Sequence, residues 1–276
     1  MKRIYRPAIS LLTLLFLFYG CEKENQPDAP GDGYTRLKQA AENSTSVFYQ
    51  DFDESEEISQ IASDQWQIGS VVWWIPPWNS TIIPVIEDSC MVLSSTKLPG
   101  SDGTKNEAQT IADFPVTRNG EFIVGYKSTR WKHGYNIGDY WADSNVGLEF
   151  YYNPPHQAIV FTYGSMGVFS DPTGFCPDNS CVYAPATDWP AISASGDFLG
   201  IRITWETEAD NTRTFKLYFN DAATASAELS DVDYALRNLR IRLNANVTDA
   251  DKLPALDSDT LYVDYIVIKD HVMELD

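Results

Sequence analysis

In the segment VGLEFYYN, Glu149 and Tyr151 stand two residues apart, the spacing that puts both on one face of a strand. Hydrolysis of a glycosidic bond asks for more than this. Retention needs a nucleophile and an acid about 5 Å apart, and inversion a somewhat wider pair. Glu149 is the only carboxylate of its segment, so a hydrolase would need a partner from elsewhere, Asp139 or Asp143 for example. Elimination from a uronic acid asks instead for Arg or Gln to neutralise the carboxylate and Tyr or His to remove a proton. Arg202, Arg240 and Arg242 occupy polar positions of alternating segments, with Tyr151, Tyr218, His133 and Tyr135 as partners of the right type. No lyase motif accompanies them, and Arg on a polar strand face serves equally as a solvated or cross-strand ion-pair residue. His156, in NPPHQ, reads as part of a hairpin turn and receives no role. Phosphate loops, HExxH and Gly-x-Ser-x-Gly are absent from the sequence.

Sugar binding needs less. Flat aromatics stack on the C–H faces of sugar rings, and Asn, Asp, Glu or Arg pair with hydroxyls. Two segments combine these types. SVVWWIPPWNS carries Trp73, Trp74, Trp78 and Asn79, and RWKHGYNIGDYWADSN carries Trp131, Tyr135, Tyr140 and Trp141. Alternation sends one of Trp73 and Trp74 inward and the other outward, and Pro76-Pro77 ends the strand, so Trp78 opens a loop. The second segment lacks alternation and reads as a long loop, where aromatics are harder to assign to a core. The competing assignment is core packing, since buried Trp and Tyr are common when their polar atoms are satisfied. The site expected for a glycan is therefore Trp78, Trp131 and Trp141 for stacking, with Glu149, Tyr151 and Arg242 as polar contacts.

These residues belong to a chain of short alternating segments. Phe122, Val124 and Tyr126 alternate with Glu121, Ile123 and Lys127, and Leu199, Ile201, Ile203 and Trp205 alternate with Arg202, Thr204 and Glu206. The pattern returns in RTFKLYFND, RNLRIRLNAN and TLYVDYIVIKD. Such alternation predicts strands with one buried and one wet face, hence an all-β, two-sheet antiparallel sandwich. No long amphipathic helix is predicted, although Thr35 to Asn43 has the composition of a short one. The formal charge is −19, and becomes −22 once Lys2, Arg3 and Arg6 are set aside. So acidic a body should bind neither nucleic acid nor an anionic bilayer by charge.

The N-terminus is basic, then apolar for about a dozen residues in ISLLTLLFLFYG, which suits a secretory segment better than a membrane span. EKENQPDAPGDG follows Cys21 and reads as a polar tether. Outside the cytoplasm, Cys176 and Cys181, which flank PDNS, are expected to form a disulfide, with half of a metal site as the rival reading. Cys90 is expected to be a buried structural thiol.

The Gly20-Cys21 junction resembles a bacterial lipoprotein signal, which implies lipidation of Cys21. The acidic stretch behind it resembles the surface-export signal of Bacteroidetes-type lipoproteins. These resemblances imply a signal peptide over 1–20, a lipidated tether over 21–45, a folded domain over 46–276, and a lipid-anchored place in the outer membrane at the cell surface. LGIRITWETEADNTRTFKLYFND, LRIRLNAN, LYVDYIVI and FYQDFDE resemble strands of the concanavalin A-like lectin and glucanase superfamily, glycoside hydrolase family 16 included. The resemblance implies a jelly roll with one sheet curved into a polysaccharide groove. It also implies a place for Asp264 beside a structural calcium ion. The E-x-D-x-x-E pattern of family 16 is not present in VGLEFYYN. The expectation is a surface lipoprotein that binds a polysaccharide or glycan without turning it over. The alternatives are a glycoside hydrolase or polysaccharide lyase, or an adhesive lipoprotein that contacts other envelope proteins.

Overall fold

The computed structural model describes residues 30–52, 66–72, 84–96, 103–110, 114–115, 117–129, 145–150, 156–162, 165–171, 181–186, 197–232, 238–248 and 258–275. Helix α1 (Pro30–Asn43) comes first, then strands β1 (Phe48–Asp51), β2 (Trp66–Val72), β3 (Val85–Glu87), β4 (Cys90–Thr96) and β5 (Gly103–Thr110). Next come β6 (Phe114–Pro115), β7 (Gly120–Ser128), β8 (Asn145–Phe150), β9 (His156–Thr162), β10 (Ser165–Asp171) and β11 (Cys181–Pro185). The chain finishes with β12 (Leu199–Thr207), β13 (Arg213–Phe219), β14 (Ala227–Val232), β15 (Asn238–Thr248) and β16 (Ser258–Lys269).

The strands form two sheets of eight. Sheet one has the order β14-β13-β12-β7-β16-β4-β3, with β1 also paired to β16. Sheet two has the order β11-β10-β9-β8-β15-β5-β2, with β6 also paired to β15. The pairings are antiparallel, including the central ones of each sheet. The protein is thus the all-β, two-sheet jelly-roll sandwich that the alternation predicts.

The core lies between the sheets. Phe122, Val124, Ile201, Ile203, Trp205, Phe215 and Leu217 enter it from sheet one, and Phe161, Met166, Ile241 and Leu243 from sheet two. Phe161 bridges the layers, edge-on to Tyr126 at 6.2 Å and to Phe219 at 5.7 Å between ring centroids. Trp205, almost fully buried, donates Nε1–H to the Thr117 carbonyl at 3.2 Å, so its burial leaves no orphan donor.

One expectation fails in sheet one. Its central strands are buried on both faces, not one: seven consecutive residues of β7, Gly120 to Tyr126, are buried. The second cover is α1. Leu37 and Ala41 of the helix pack with Ile123, Tyr265, Val267 and Met273 into a smaller cluster on the outer face. Close approach requires glycine beneath it. A Cβ on Gly200 would lie 2.6 Å from Leu37 Cδ2, and one on Gly125 would lie 2.3 Å from Tyr265 Cε1. Helix formation therefore extends to Pro30, and residues 30–43, expected within the 21–45 tether, pack on the domain.

Arg202, expected on a polar face, is buried beneath this cover. Its Nε donates to Glu121 Oε2 at 2.7 Å and its Nη2 to the Met273 carbonyl at 2.6 Å, with the Tyr218 ring 5.1 Å from its Cζ. The cross-strand ion-pair reading holds, and the solvated one does not. Lys269 ends the helix: its ammonium donates to the carbonyls of Ala41 at 3.1 Å and of Ser44 and Thr45 at 3.3 Å. A cation at a helix C-terminus satisfies carbonyls that have no intrahelical partner. Burial holds the Lys269 pKa below the usual lysine range, while Glu121 opposes the shift.

Candidate functional site

The outer face of sheet two is the other large surface of the sandwich. Ile241 and Leu243 of β15 are buried in the core. The pleat therefore assigns Arg240, Arg242, Asn244 and Asn246 to the outer face. Residues opposite one another in an antiparallel pair share a face, so register extends these positions into rows. Arg240 is opposite Glu149, and Glu149 is opposite Ala158. Arg242 is opposite Gly147 on one side and Gln109 on the other, and Gln109 is opposite Gln67. Asn244 lies between Asn145 and Glu107. Gly147 continues through Val160 to Gly167 and then Tyr183.

Three rows thus bring guanidinium, carboxylate and amide residue types onto one face, and the middle row continues through Gly147 and Val160 to Gly167, which is buried. These types can pair with two neighbouring hydroxyls at once. The carboxylates of this face are spread across strands. Glu107 and Glu149 lie two strands apart and four residues apart along the sheet, a separation of about 16 Å from strand geometry. Asp171 and Glu149 are also two strands apart, with a two-residue offset, or about 12 Å.

The expected site residues divide along the strands. Glu149 and Arg242 come to adjacent strands of this face, displaced by one row. Trp78, Trp131, Trp141 and Tyr151 lie outside the described residues. Two described residues that flank these segments, Val72 and Asn145, lie towards the same end of sheet two. Residues 73–83 follow Val72, which is opposite Thr104, which is in turn opposite Val247. Residues 130–144 lead into Asn145, opposite Asn244. Glu149 is four residues further along β8, about 13 Å towards the other rim. Arg242 lies between the two groups.

Asp264 sits elsewhere, at a bulge of β16 on the outer face of sheet one. Register shifts there between Val263, opposite Tyr126, and Tyr265, opposite Gly125. The extra residue reverses the pleat, so Leu261 and Val263 face the core before it and Ile266 and Ile268 after it. Asp264 Oδ1 accepts from Lys38 Nζ at 2.9 Å, and Oδ2 accepts from the Tyr34 hydroxyl. Both oxygens are engaged by α1, and the positive charge there is an ammonium. A calcium ion wants six or more oxygens, and no group of three His, Cys, Asp or Glu suited to a metal occurs among the described residues. The residues around Asp264 do not fit calcium unless Lys38 and Tyr34 leave it. Burial, then the bond to Asp264, pushes the Tyr34 phenol above its ordinary range.

Cys90 is a buried free thiol, its pKa pushed up to about 11 by burial first and by Asp264 next. Cys181 opens β11, whereas Cys176 and Cys21 lie outside the described residues. His156, expected in a hairpin turn, is the first residue of β9, opposite Asp171.

No protein-family model matches the chain, and no curated protein does. Solved structures do. A chain from work on endo-acting O-glycanases of the human gut microbiota that initiate mucin breakdown is 8% identical, with a TM-score of 0.53 over 83% of this chain and 100% of the other. A glycosyl hydrolase family 16 protein from Mycobacterium smegmatis is 12% identical, with a TM-score of 0.51 over 81% of this chain and 100% of the other. A Bacillus licheniformis β-glucanase is 10% identical, with a TM-score of 0.50 over 82% and 99%. At such identities the likeness is one of fold: the chain has the concanavalin A-like jelly roll.

Sequence reasoning placed Arg240 with Arg242 through the alternation of their own segment, and missed Gln109, Gln67, Asn145 and Glu107 as their companions across strands. Each strand's alternation is readable, but companionship depends on which strands become neighbours and in what register. Local pattern does not encode that.

Proposed function

We propose that the protein is a cell-envelope lipoprotein, anchored through Cys21, that binds a polysaccharide or glycan non-catalytically on the outer face of sheet two. The observation that carries the reading is the set of polar rows, Gln67–Gln109–Arg242–Gly147 and Glu107–Asn244–Asn145, beside Arg240–Glu149. The amides and guanidinium flanking Gly147 suit vicinal hydroxyls. Trp78, Trp131 and Trp141 would supply stacking from the end of sheet two towards which Val72 and Asn145 lie. The named fold neighbours act on glycans, which supports carbohydrate as the ligand class. The lone carboxylate of VGLEFYYN, where family 16 carries E-x-D-x-x-E, supports binding without turnover.

Affinity electrophoresis through gels containing single polysaccharides, run beside reducing-sugar and unsaturated-uronate assays, tests the reading. Retardation by at least one polysaccharide with both assays silent is the expected outcome. Turnover would establish the hydrolase or lyase alternative, with a second carboxylate brought to Glu149 from another segment. Failure to bind any glycan, with a specific envelope protein captured instead, would establish the adhesive one.

A further inference from the structure

The docking of α1 determines which side of the molecule an anchor at Cys21 can hold to a bilayer. We infer that the α1 face of sheet one is turned towards the membrane and the polar face of sheet two away from it. This inference rests on the lipid-anchor part of the proposed function, not on the glycan part.

Helix α1 is held to the sandwich along its whole length. The N-terminal turn of α1 lies against the turn after β13, where a Cβ on Gly33 would meet Asp221 Oδ1 at 2.5 Å and Arg36 is ion-paired with Asp221. One turn further on, the Tyr34 and Lys38 bonds to Asp264 and the buried Leu37 secure the helix to β16 and β12. The Lys269 contacts hold its C-terminal end. Helix and sandwich are therefore one body, and the leash is only the chain before Pro30.

That leash is short. Cys21 to Pro30 is nine peptide steps, which span at most about 30 Å when fully extended. Sheet two's outer face lies beyond the helix layer and both sheets, about 20 Å from the helix axis. The shortest way round passes β13 and β14, adding about 5–10 Å. Laying sheet two on the bilayer would consume about 25–30 Å, most or all of the leash at full extension, whereas laying the α1 face there requires none of that reach. Adhesion of the helix to lipid is not needed. Its outward residues, including Asp32, Arg36, Gln39 and Glu42, are polar and exposed, and the leash alone sets the orientation.

The test uses the full-length, lipid-modified protein in phosphatidylcholine vesicles that contain a headgroup-labelled acceptor lipid. A donor dye is placed at Gln39→Cys on the helix or at Ala158→Cys on sheet two, in separate preparations. Energy transfer from position 39 is expected to exceed that from position 158 by about twofold, given the layer separation of about 20 Å. Equal transfer, or more from position 158, with the lipid mass present on Cys21, overturns the orientation and leaves the anchor standing. An intact mass without lipid on Cys21, and no flotation with vesicles, overturns the anchor and the orientation with it. Glycan binding in the same preparations reports independently of both.

Discussion

On the outer face of sheet one, Gly125 and Gly200 remove side chains from neighbouring strands, and Tyr34 and Leu37 of a helix take the space. On the outer face of sheet two, Gly147 and Gly167 share a row with Val160 between them, and the companions of Gly147 are different in kind. Ile123, Tyr265 and Val267 lie beside the first pair; Arg242, Asn145 and Glu149 lie beside Gly147, and Val160 and Tyr183 beside Gly167. Apolar neighbours make a glycine row a seat for a helix, because covering them removes apolar surface from water. Polar neighbours, as beside Gly147, suit a hydroxylated ligand instead. The difference between a structural and a functional face therefore lies in the residues beside the glycines, not in the glycines.

Substitutions on the two faces should separate accordingly. The largest effect is expected from Arg202→Met, which leaves the buried Glu121 carboxylate without its guanidinium. Glu121 Oε1 already has no hydrogen-bond partner, and breaking such a pair costs about 3–5 kcal/mol, read as a fall in the urea midpoint. Leu37→Ala should follow at about 2–4 kcal/mol. It opens space over Gly200 and weakens the seat of α1, so hydrogen exchange should rise in α1 before it rises in β7. Unchanged exchange in the helix would show that its docking does not depend on Leu37.

Alkaline pH tests the same face. Burial raises the pKa of Tyr34, Tyr49 and Tyr265, and that of Cys90 to about 11. A raised folded-state pKa contributes stability that is full below the unfolded pKa and is lost above it. Stability should thus begin to fall past pH 9.0, where the unfolded thiol ionises, and fall faster past about pH 10, where unfolded tyrosines do. Lys269, with its lowered pKa, acts in the opposite sense, adding stability as pH rises towards 10.5. Four groups oppose it. Urea midpoints at about pH 7, 9 and 10.5 should decline, and less steeply in Tyr34→Phe; a flat profile would contradict the burial of these groups.

The smallest stability effect is expected on sheet two. Arg242→Ala and Gln109→Ala should each stay within about 0.5 kcal/mol of wild type, as surface substitutions do. A loss of several kcal/mol would show that this face, too, is covered or internally paired.

Much of this architecture is legible in the sequence, for identifiable reasons. Alternation in β7, β12 and β13 locates the inward residues Phe122, Ile203 and Leu217 correctly, because the core face must be apolar whatever the partner strand. The second cover on sheet one is less visible. Its signals are Ile123 at a position assigned to the wet face and the phase change at Val263-Asp264-Tyr265. A strict period of two treats that change as noise, although it marks a bulge. From composition, helix α1 starts only at Thr35, because Pro-Gly-Asp-Gly has no helical preference of its own; Gly33 lies where contact with Asp221 leaves no room for a Cβ. Glu149 and Arg242 are readable as outward polar residues. Their companions are not, since register across β2, β5, β15 and β8 is a property of the folded sheet.

The central claim is that the polar rows of sheet two hold a glycan. The most direct measurement compares wild-type protein with Arg242→Ala/Gln109→Ala in affinity gels against a panel of polysaccharides, with reducing ends monitored. The account predicts retardation of wild type by at least one polysaccharide, loss of that retardation in the double variant, and no new reducing ends from either. Equal retardation of the two proteins would place binding elsewhere, and new reducing ends would contradict binding without turnover.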